Sequence, residues 1–181
     1  RMPPARMEGP LPDPLMNRDF LVPEPLATPH GTVAFFDETW TVDPRELQIF
    51  FQAEEVYWTA YRTVEQWRRL LACSRMLTAR LVPEGHMGGR LVGATRLWSD
   101  HAYEAKLYDV VVARDLMNFG VASELVKWAL RHPWVGEVHR FVLETRDATE
   151  FYPRFGFQPG HDVESFHMRV KTADLQARGL R

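Results

Sequence analysis

The order of secondary structure elements predicted along the chain indicates a mixed α/β fold whose sheet cannot be wholly parallel. Three observations lead to this prediction. An initial strand is followed by two amphipathic helices, three strands then come without an intervening helix, and a glycine-led helix precedes the remaining strands. Neighbouring strands joined by a turn pair in opposite directions, so we expect a largely antiparallel sheet.

The first part of the pattern is a strand followed by two helices. Residues 32–36 are predicted to form the strand. Asp43 followed by Pro44 is a helix start signal, and we expect this helix to run to the region of Ala53. A second helix is predicted over residues 63–72, because apolar residues share one stripe there and charged residues lie mostly opposite.

Three strands and a helix follow. Residues 76–82 and 91–98 are predicted to form paired strands joined by a turn-rich segment, and residues 103–112 a third strand. The helix after Gly120 has apolar residues at core spacing and is predicted to stop at His132, just before a proline.

The C-terminal part is predicted to add a short helix and short strands. Asp147 and Glu150 have the spacing of a capping box, which predicts a helix carrying Phe151 and Tyr152. The remaining predicted strands are residues 141–144, the region of Asp162, and residues 166–170.

Length and proline content predict a tail followed by one domain. The chain has 181 residues, 45% of them hydrophobic, which suits a single domain with a substantial core. Eight of its 13 prolines fall within the first 29 residues, a density that excludes a helix or a central strand. We therefore expect residues 1–30 to form a proline-rich tail or an extended arm, and residues 31–181 to form a single domain.

Charge and composition exclude several classes of partner. The net charge is -2, with 22 basic against 24 acidic residues, so neither nucleic acid nor an anionic membrane is an expected partner. No apolar run is long enough to cross a bilayer, and no signal-type hydrophobic core is visible. The single cysteine, Cys73, suits a reducing compartment, so we expect a cytoplasmic protein. The histidines lack metal-site spacing, so we predict no metal.

Two segments contain the candidate functional residues. The first, DVVVARDLMNFGVAS from Asp109 to Ser123, places a β-branched run directly before a glycine turn and an amphipathic helix. A strand running into a helix with unpaired first amides forms a seat for phosphate, although an ordinary strand-to-helix junction can look the same. The second segment, FYPRFGF at residues 151–157, supplies a tyrosine.

Together the two segments resemble the signatures of the GNAT superfamily of acyl-CoA-dependent N-acyltransferases. In that superfamily R/Q-x-x-G-x-G/A follows a strand, and Y-x-x-x-GF comes later. The resemblance covers roughly residues 33–170. It implies a GNAT-like twisted sheet of about six to seven strands flanked by about four helices, with acetyl-CoA as co-substrate and no metal.

The resemblance also implies a coenzyme A site. Amides at the start of the helix would hold the pyrophosphate, and free backbone groups of the preceding strand would hold the pantetheine arm and polarise the thioester carbonyl. Met117 stands where the family usually has arginine or glutamine, so a side-chain contact to phosphate is lost, whereas Asn118 tolerates the left-handed backbone of the turn. The predicted coenzyme A site consists of Val110, Val111, Val112, Met117, Asn118, Phe119, Gly120, Val121, Ala122 and Ser123.

Tyr152 matches the tyrosine that in this family lies near the sulfur of coenzyme A and acts as a general acid. A phenol with a pKa of about 10 is protonated at neutral pH, so it can donate a proton to a departing thiolate. The alternative role is that of a core aromatic packed beside Phe151 and Phe155.

Glu104 and Asp109 are the main candidates for the base that deprotonates the amine, and Asp100 and His101 at the start of the strand are further ones. Glu104 is similar to a carboxylate that some family members carry on this strand. Asp109, directly before the valines, is similar to the residue at that place in members that act on amino sugars or small amines. Strand alternation predicts that the two lie on opposite faces unless a bulge intervenes. Each could instead be a solvated charge, and water leading to one carboxylate is a further alternative.

The aromatic connection between the first two helices is the predicted acceptor site. Tyr57, Trp58 and Tyr61, with Glu54 and Glu55, could form an aromatic pocket with an anionic lip suited to a cationic or aromatic amine. The alternative is that the aromatic residues pack in the core and the glutamates are solvated.

The predicted function is transfer of an acetyl group from acetyl-CoA to a primary amine by direct attack in a ternary complex. The acceptor would be a small molecule or a peptide, and the enzyme a monomer or homodimer. Met117 favours an alternative, a catalytically weak or inactive acyl-CoA-binding sensor or interaction module of the same fold. The proline-rich tail could bind a partner in either case.

Overall fold

The structure is a computed structural model that describes residues 22–59, 61–83, 89–146 and 148–159. Most of the predicted tail and the strands predicted near Asp162 and over residues 166–170 lie outside the described residues. The strands are β1 (Leu26–Thr28), β2 (Gly31–Asp37), β3 (Arg75–Val82), β4 (Arg90–Ser99), β5 (Glu104–Val112) and β6 (Arg140–Val142), and the α-helices are α1 (Pro44–Ala53), α2 (Val64–Leu71) and α3 (Val121–Leu130).

The six strands form one sheet in the order β1-β2-β3-β4-β5-β6. Every neighbouring pair is antiparallel except β5 and β6, which run parallel. A parallel pair needs a crossover connection, and α3 supplies it. The predicted α/β fold with a mixed, largely antiparallel sheet is therefore confirmed, with six strands and three α-helices in the described part of the chain.

Helices cover both faces of the sheet. On one face α3 packs closely on β4, because a Cβ added to Gly93 would lie 3.1 Å from Leu125 Cδ1 and 3.2 Å from Val121 Cγ1. On the other face Arg80 of β3 reaches α1, with its Nη2 2.7 Å from Glu46 Oε2. The α1 side and the α3 side are thus separate surfaces of one sheet.

Local sequence signals explain where the first two helices begin. The side chain of Asp43 accepts a hydrogen bond from the Arg45 amide at 2.8 Å, and Pro44 is the first residue of α1. Thr63 and Gln66 form a capping box on α2, each side chain accepting from the other's amide. The predicted starts of both helices are confirmed. Within the described ranges, no helix has the length and apolar character that crossing a membrane requires.

The predicted N-terminal arm contributes an edge strand. β1 pairs with the beginning of β2 through a tight hairpin in which Thr28 lies opposite Gly31. Gly31 has a φ of 119°, a backbone conformation that favours glycine. Pro23 and Pro25 lie just before β1, and an edge strand tolerates such flanking prolines because one side needs no hydrogen bonds.

The described residues from Arg146 to 159 belong to a second compact unit, distinct from the unit that the described residues before them form. In its described part, Tyr152–Phe155 is a 3₁₀ turn with no side-chain cap, and Gly156 ends it with a φ of 89°. The α-helix predicted from a capping box is not formed, because Pro153 has no amide to bond the carbonyl four residues earlier. Asp147 itself lies outside the described residues.

A nearly buried arginine network joins α1 to the sheet. Arg80 Nε donates to Glu38 Oε2 at 2.7 Å, and its two terminal nitrogens bind both oxygens of Glu46 at 2.8 and 2.7 Å. The Thr78 hydroxyl also donates to Glu38, at 2.6 Å, and the Gly89 carbonyl accepts from Arg80 at 2.9 Å. The hydrogen bonds to Glu46 and Glu38 outweigh the effect of burial and raise the pKa of Arg80.

Arg80→Gln should lower the free energy of unfolding by about 3 kcal/mol, because two carboxylates lose the cation that compensates their partial burial. The matched control is Arg69→Gln, which breaks the exposed i,i+4 pair with Glu65 on α2 and should change stability by less than about 0.5 kcal/mol. Urea denaturation at pH 7 measures both variants. Equal, small effects would contradict a structural role for the network.

Candidate active site

Strand β5 contains a bulge at Asp109. Tyr108 pairs with Arg96 and Val111 pairs with Ala94, so two residues of β5 oppose one residue of β4. Asp109 has a φ of 56°, in the left-handed region that non-glycine residues rarely occupy. Such a conformation persists where surrounding contacts fix it, so the contacts of the Asp109 side chain are informative.

The carboxylate of Asp109 lies between two guanidinium groups. Its Oδ2 accepts a hydrogen bond from Arg96 Nε at 2.9 Å and lies 2.8 Å from Arg62 Nη1, and the side chain is only 2% exposed. Arg96 also lies over the Tyr108 ring at 4.3 Å, and Arg62 over the Trp67 ring at 5.0 Å. This buried cluster links β4, β5 and the residue that precedes the cap of α2.

The bulge brings the two predicted base candidates to one face of the sheet. Arg96 and Tyr108 are direct partners and so share a face, and alternation along β5 adds Lys106 and Glu104 to it. Asp109 binds Arg96 on this same side. The expectation that Glu104 and Asp109 lie on opposite faces is therefore wrong, because the bulge interrupts the alternation.

The other charged residues that β5 carries on this face each meet a charge of the opposite sign. Glu104 Oε2 accepts a hydrogen bond from Arg140 Nε at 2.9 Å and lies 2.8 Å from Arg140 Nη2, and Lys106 Nζ donates to Glu144 Oε1 at 2.9 Å. Burial tends to lower the pKa of Lys106, but the hydrogen bond to Glu144 outweighs it and the pKa is raised. Over the described residues, no cluster of three His, Cys, Asp or Glu side chains could hold a metal ion.

The outer edge of β5 is open beyond its beginning. Residues 104–106 pair with β6, whereas residues 107–112 have no strand on that side in the described part of the chain. The side chains of Val111 and Val112 are buried, so this edge offers mainly backbone groups. An unpaired strand edge can bind an extended ligand through those groups.

The loop before α3 leaves a run of amides unpaired. Asn118 and Gly120 are both left-handed, with φ values of 68° and 87°, and no side chain caps the helix at Gly120. The Glu124 amide makes the first helical bond, to the Gly120 carbonyl at 3.0 Å. Within the described ranges, the amides of residues 118–123 therefore have no protein acceptor.

This run of amides fits a pyrophosphate group. Left-handed residues turn neighbouring N–H groups toward one side, and the helix N-terminus adds partial positive charge. A Cβ on Gly120 would have its nearest contact at 3.8 Å, with Leu26 Cδ1, so the space beside the glycine is open. The Met117 and Phe119 side chains are exposed.

The two glutamates predicted to form an anionic lip bind the loop after β5 instead. Glu54 Oε2 accepts from the Arg114 amide at 3.0 Å, and Glu55 Oε2 accepts from Arg114 Nη2 at 2.6 Å. The hydrogen bond and the charge of Arg114 lower the pKa of Glu55. Both glutamates thus help to position the loop that leads to Gly120.

Tyr57, Trp58 and Tyr61 lie on the surface. Tyr61 is 92% exposed, and the rings of Tyr57 and Trp58 meet edge-on with centroids 4.8 Å apart. The alternative that these aromatic residues pack in the core is wrong, because Phe51 and Trp67 occupy the core here. Their proposed contact with an acceptor stays a prediction.

Tyr152 lies in the second compact unit. Its ring meets Phe151 and Phe157 edge-on, with centroids 5.0 and 5.9 Å apart. Burial raises the pKa of the Tyr152 phenol above its ordinary value. The side chain is therefore protonated at neutral pH and able to donate a proton.

Two charged residues of the site, Arg62 and Arg96, are absent from the sequence-based predictions. Arg96 did leave a signal, since it is the one charged residue in the predicted strand over residues 91–98. A buried arginine needs a carboxylate partner, so an acidic residue on the next strand was to be expected. Arg62 follows a loop and gives no comparable pattern.

Known proteins match this chain in sequence and in fold. The sequence model of the Acetyltransferase (GNAT) family matches residues 33–157. A GNAT-family acetyltransferase structure from Xanthomonas campestris pv. campestris is 25% identical with a TM-score of 0.64, covering 77% of this chain and 93% of its own. No curated protein matches by sequence.

Two further structures share the fold. An acetyltransferase from Deinococcus radiodurans R1 is 24% identical with a TM-score of 0.58, over 80% of this chain and 92% of its own. A GNAT family protein from Streptococcus pneumoniae TIGR4 is 21% identical with a TM-score of 0.59, over 77% and 98%. The family match spans well over half of the sequence and includes both signature segments. This chain belongs to the GNAT family of acetyltransferases.

Proposed function

We propose that this protein transfers an acetyl group from acetyl-CoA to a primary amine by direct attack within a ternary complex. Family membership implies acetyl-CoA as the donor. The observation that carries the proposal is the run of unpaired amides over residues 118–123, which follows a strand with an open outer edge. The first feature suits the pyrophosphate of coenzyme A and the second its extended pantetheine arm.

Backbone groups of β5 would activate the donor. Coenzyme A supplies a thioester, whose carbonyl carbon is attacked by the amine. An amide of Val110, Val111 or Val112 directed at the carbonyl oxygen stabilises the negative charge that develops there, and this needs no special side chain. The open edge of β5 leaves such amides available.

Two proton transfers complete the reaction. The amine nitrogen loses a proton as the new C–N bond forms, and the sulfur gains one as the C–S bond breaks. We assign the second proton to Tyr152, because burial keeps its phenol protonated. The first goes to a carboxylate, either directly or through water.

Glu104 is the better base candidate of the two. Its side chain is 26% exposed and pairs with one arginine, Arg140. Asp109 is almost fully buried between Arg62 and Arg96, which favours a structural role. A proton can reach Glu104 through solvent, so we assign it the base role by way of water.

An acyl-CoA-binding module with weak or no turnover is the alternative. Both candidate carboxylates form ion pairs with arginines, and the Met117 side chain has no charge to bind phosphate. Both observations favour this alternative. Calorimetric titration with coenzyme A, beside thiol release from acetyl-CoA over a broad amine panel, separates the two. Turnover supports the enzyme, and tight binding without turnover supports the sensor.

Gly120→Ala should weaken coenzyme A binding about tenfold, because a Cβ enters the space beside the amides and alanine strains the left-handed backbone. The control Gly156→Ala imposes the same strain, with φ of 89° and nothing within 4 Å of the added carbon. Both variants should lose about 1 kcal/mol of stability. Equal losses of coenzyme A affinity in the two variants would contradict the assignment of residues 118–123 as the pyrophosphate-binding site.

Tyr152→Phe should lower kcat about a hundredfold or more with little change in the KM for acetyl-CoA, because the ring stays and only the proton donor is lost. The raised pKa of Tyr152 keeps the donor form present to higher pH. In the wild-type protein, the alkaline fall in kcat that this phenol causes should therefore lie above about pH 10. A fully active variant would rule out the acid role.

Glu104→Gln should lower kcat about a hundredfold, because the proton acceptor is lost. Asp109→Asn should instead destabilise the fold by about 3 kcal/mol, because it removes the buried carboxylate that Arg62 and Arg96 share. Steady-state kinetics and urea denaturation of both variants test this division. A stable Asp109→Asn protein with the larger loss of kcat would reverse the assignment.

A further inference from the structure

We infer that the acceptor amine carries an anionic group, a carboxylate or a phosphate, and that Arg62 binds this group. The inference rests on the proposed function, since it concerns the acceptor of that reaction. It differs from the sequence-based expectation of a cationic amine, because the glutamates expected to attract a cation pair with Arg114 instead.

The charge balance around Asp109 is the first reason. Its Oδ2 accepts a hydrogen bond from Arg96 Nε at 2.9 Å and lies 2.8 Å from Nη1 of Arg62, so two cations share one carboxylate. The other charged residues that β5 carries on this face, Glu104 and Lys106, meet Arg140 and Glu144 respectively. The cluster of Arg62, Asp109 and Arg96 therefore has a net charge of +1, which an anionic ligand would neutralise.

The hydrogen bonding of Arg62 is the second reason. Its Nη1 lies within ion-pair distance of Asp109 but makes no aligned hydrogen bond, and no described residue accepts one from the rest of its guanidinium. Arg96, in contrast, donates to Asp109 and is almost fully buried. Arg62 is 22% exposed, so it is the member of the cluster that a ligand can reach.

The position of Arg62 is the third reason. Its guanidinium lies over the Trp67 ring and is thereby held in place. It touches Asp109, the residue directly before Val110, so an anion on Arg62 would lie near the backbone proposed to polarise the acetyl group. The amine and the anion of the acceptor are therefore separated by few bonds. Arginine binds carboxylate and phosphate through paired N–H groups, so both anions are compatible.

Matched amine pairs that differ by the anion test the inference. Phenylalanine is compared with phenylalaninamide, and O-phosphoethanolamine with ethanolamine, by kcat/KM for acetyl transfer. The wild-type protein should prefer one of the anionic compounds over its neutral partner about tenfold or more, because the neutral compound lacks the charged group that accepts a hydrogen bond from Arg62. The preferred pair distinguishes a carboxylate from a phosphate.

Arg62→Gln should abolish that preference. The ratio of the two kcat/KM values does not depend on the fraction of folded enzyme, so partial misfolding cannot mimic the result. The matched control is Arg68→Gln, six residues along, whose side chain is exposed and forms an ion pair with Glu65 on α2, and it should keep the wild-type ratio. Equal use of the anionic and neutral partners, or a ratio unchanged in Arg62→Gln, would overturn the inference.

Failure of the proposed function would look different. If no amine is acetylated, NMR titration of the coenzyme A complex with phenylalanine and with O-phosphoethanolamine still measures anion binding. Binding that is at least about tenfold weaker in Arg62→Gln supports the anion site by itself. No binding of either probe to the wild-type protein, or equal binding to the variant, overturns it.

Discussion

The contact between Arg96 and Asp109 is the constraint on which the functional edge of the sheet depends. An arginine in the middle of a buried strand is costly unless a carboxylate meets it. Asp109 meets it from a bulge, where β5 has one residue more than β4. A bulge bends and twists its strand, and β5 loses its pairing with β6 before this point. The bulge thus accounts for the reoriented carboxylate, and it lies in the part of β5 whose outer edge has no partner strand among the described residues.

Arginine side chains of the sheet determine how neighbouring elements pack on it. Arg80 determines where α1 lies through Glu46, and Arg96 determines the register of β5. Arg75 lies between the rings of Trp40 and Trp134, at 5.6 and 5.5 Å. Apolar side chains of similar volume often give equal or greater stability than buried ion pairs. We interpret these arginines as specifying one arrangement of neighbours more than as adding stability.

Features set by neighbouring residues could be predicted from the sequence, and features set by distant residues could not. The start of α1 at Asp43 and Pro44 and the left-handed Asn118 follow from the chemistry of a few adjacent residues, and both agree with the structure. The face on which Asp109 lies depends on Arg96, a residue of another strand, so alternation alone gave the wrong answer. Arg62 reaches Asp109 through tertiary packing, and no local sequence pattern predicts this contact.

Under the proposed function, binding of coenzyme A at the unpaired amides before α3 would be coupled to the folding equilibrium. The loop that carries these amides leads into α3, which packs on the sheet at Gly93, so a ligand that pairs with them would bind the folded chain in preference to the unfolded one. A ligand at a hundredfold excess over its Kd would add about 2.7 kcal/mol to stability, a large share of what a typical domain has. The lifetime of this protein against unfolding and proteolysis would then follow the supply of coenzyme A.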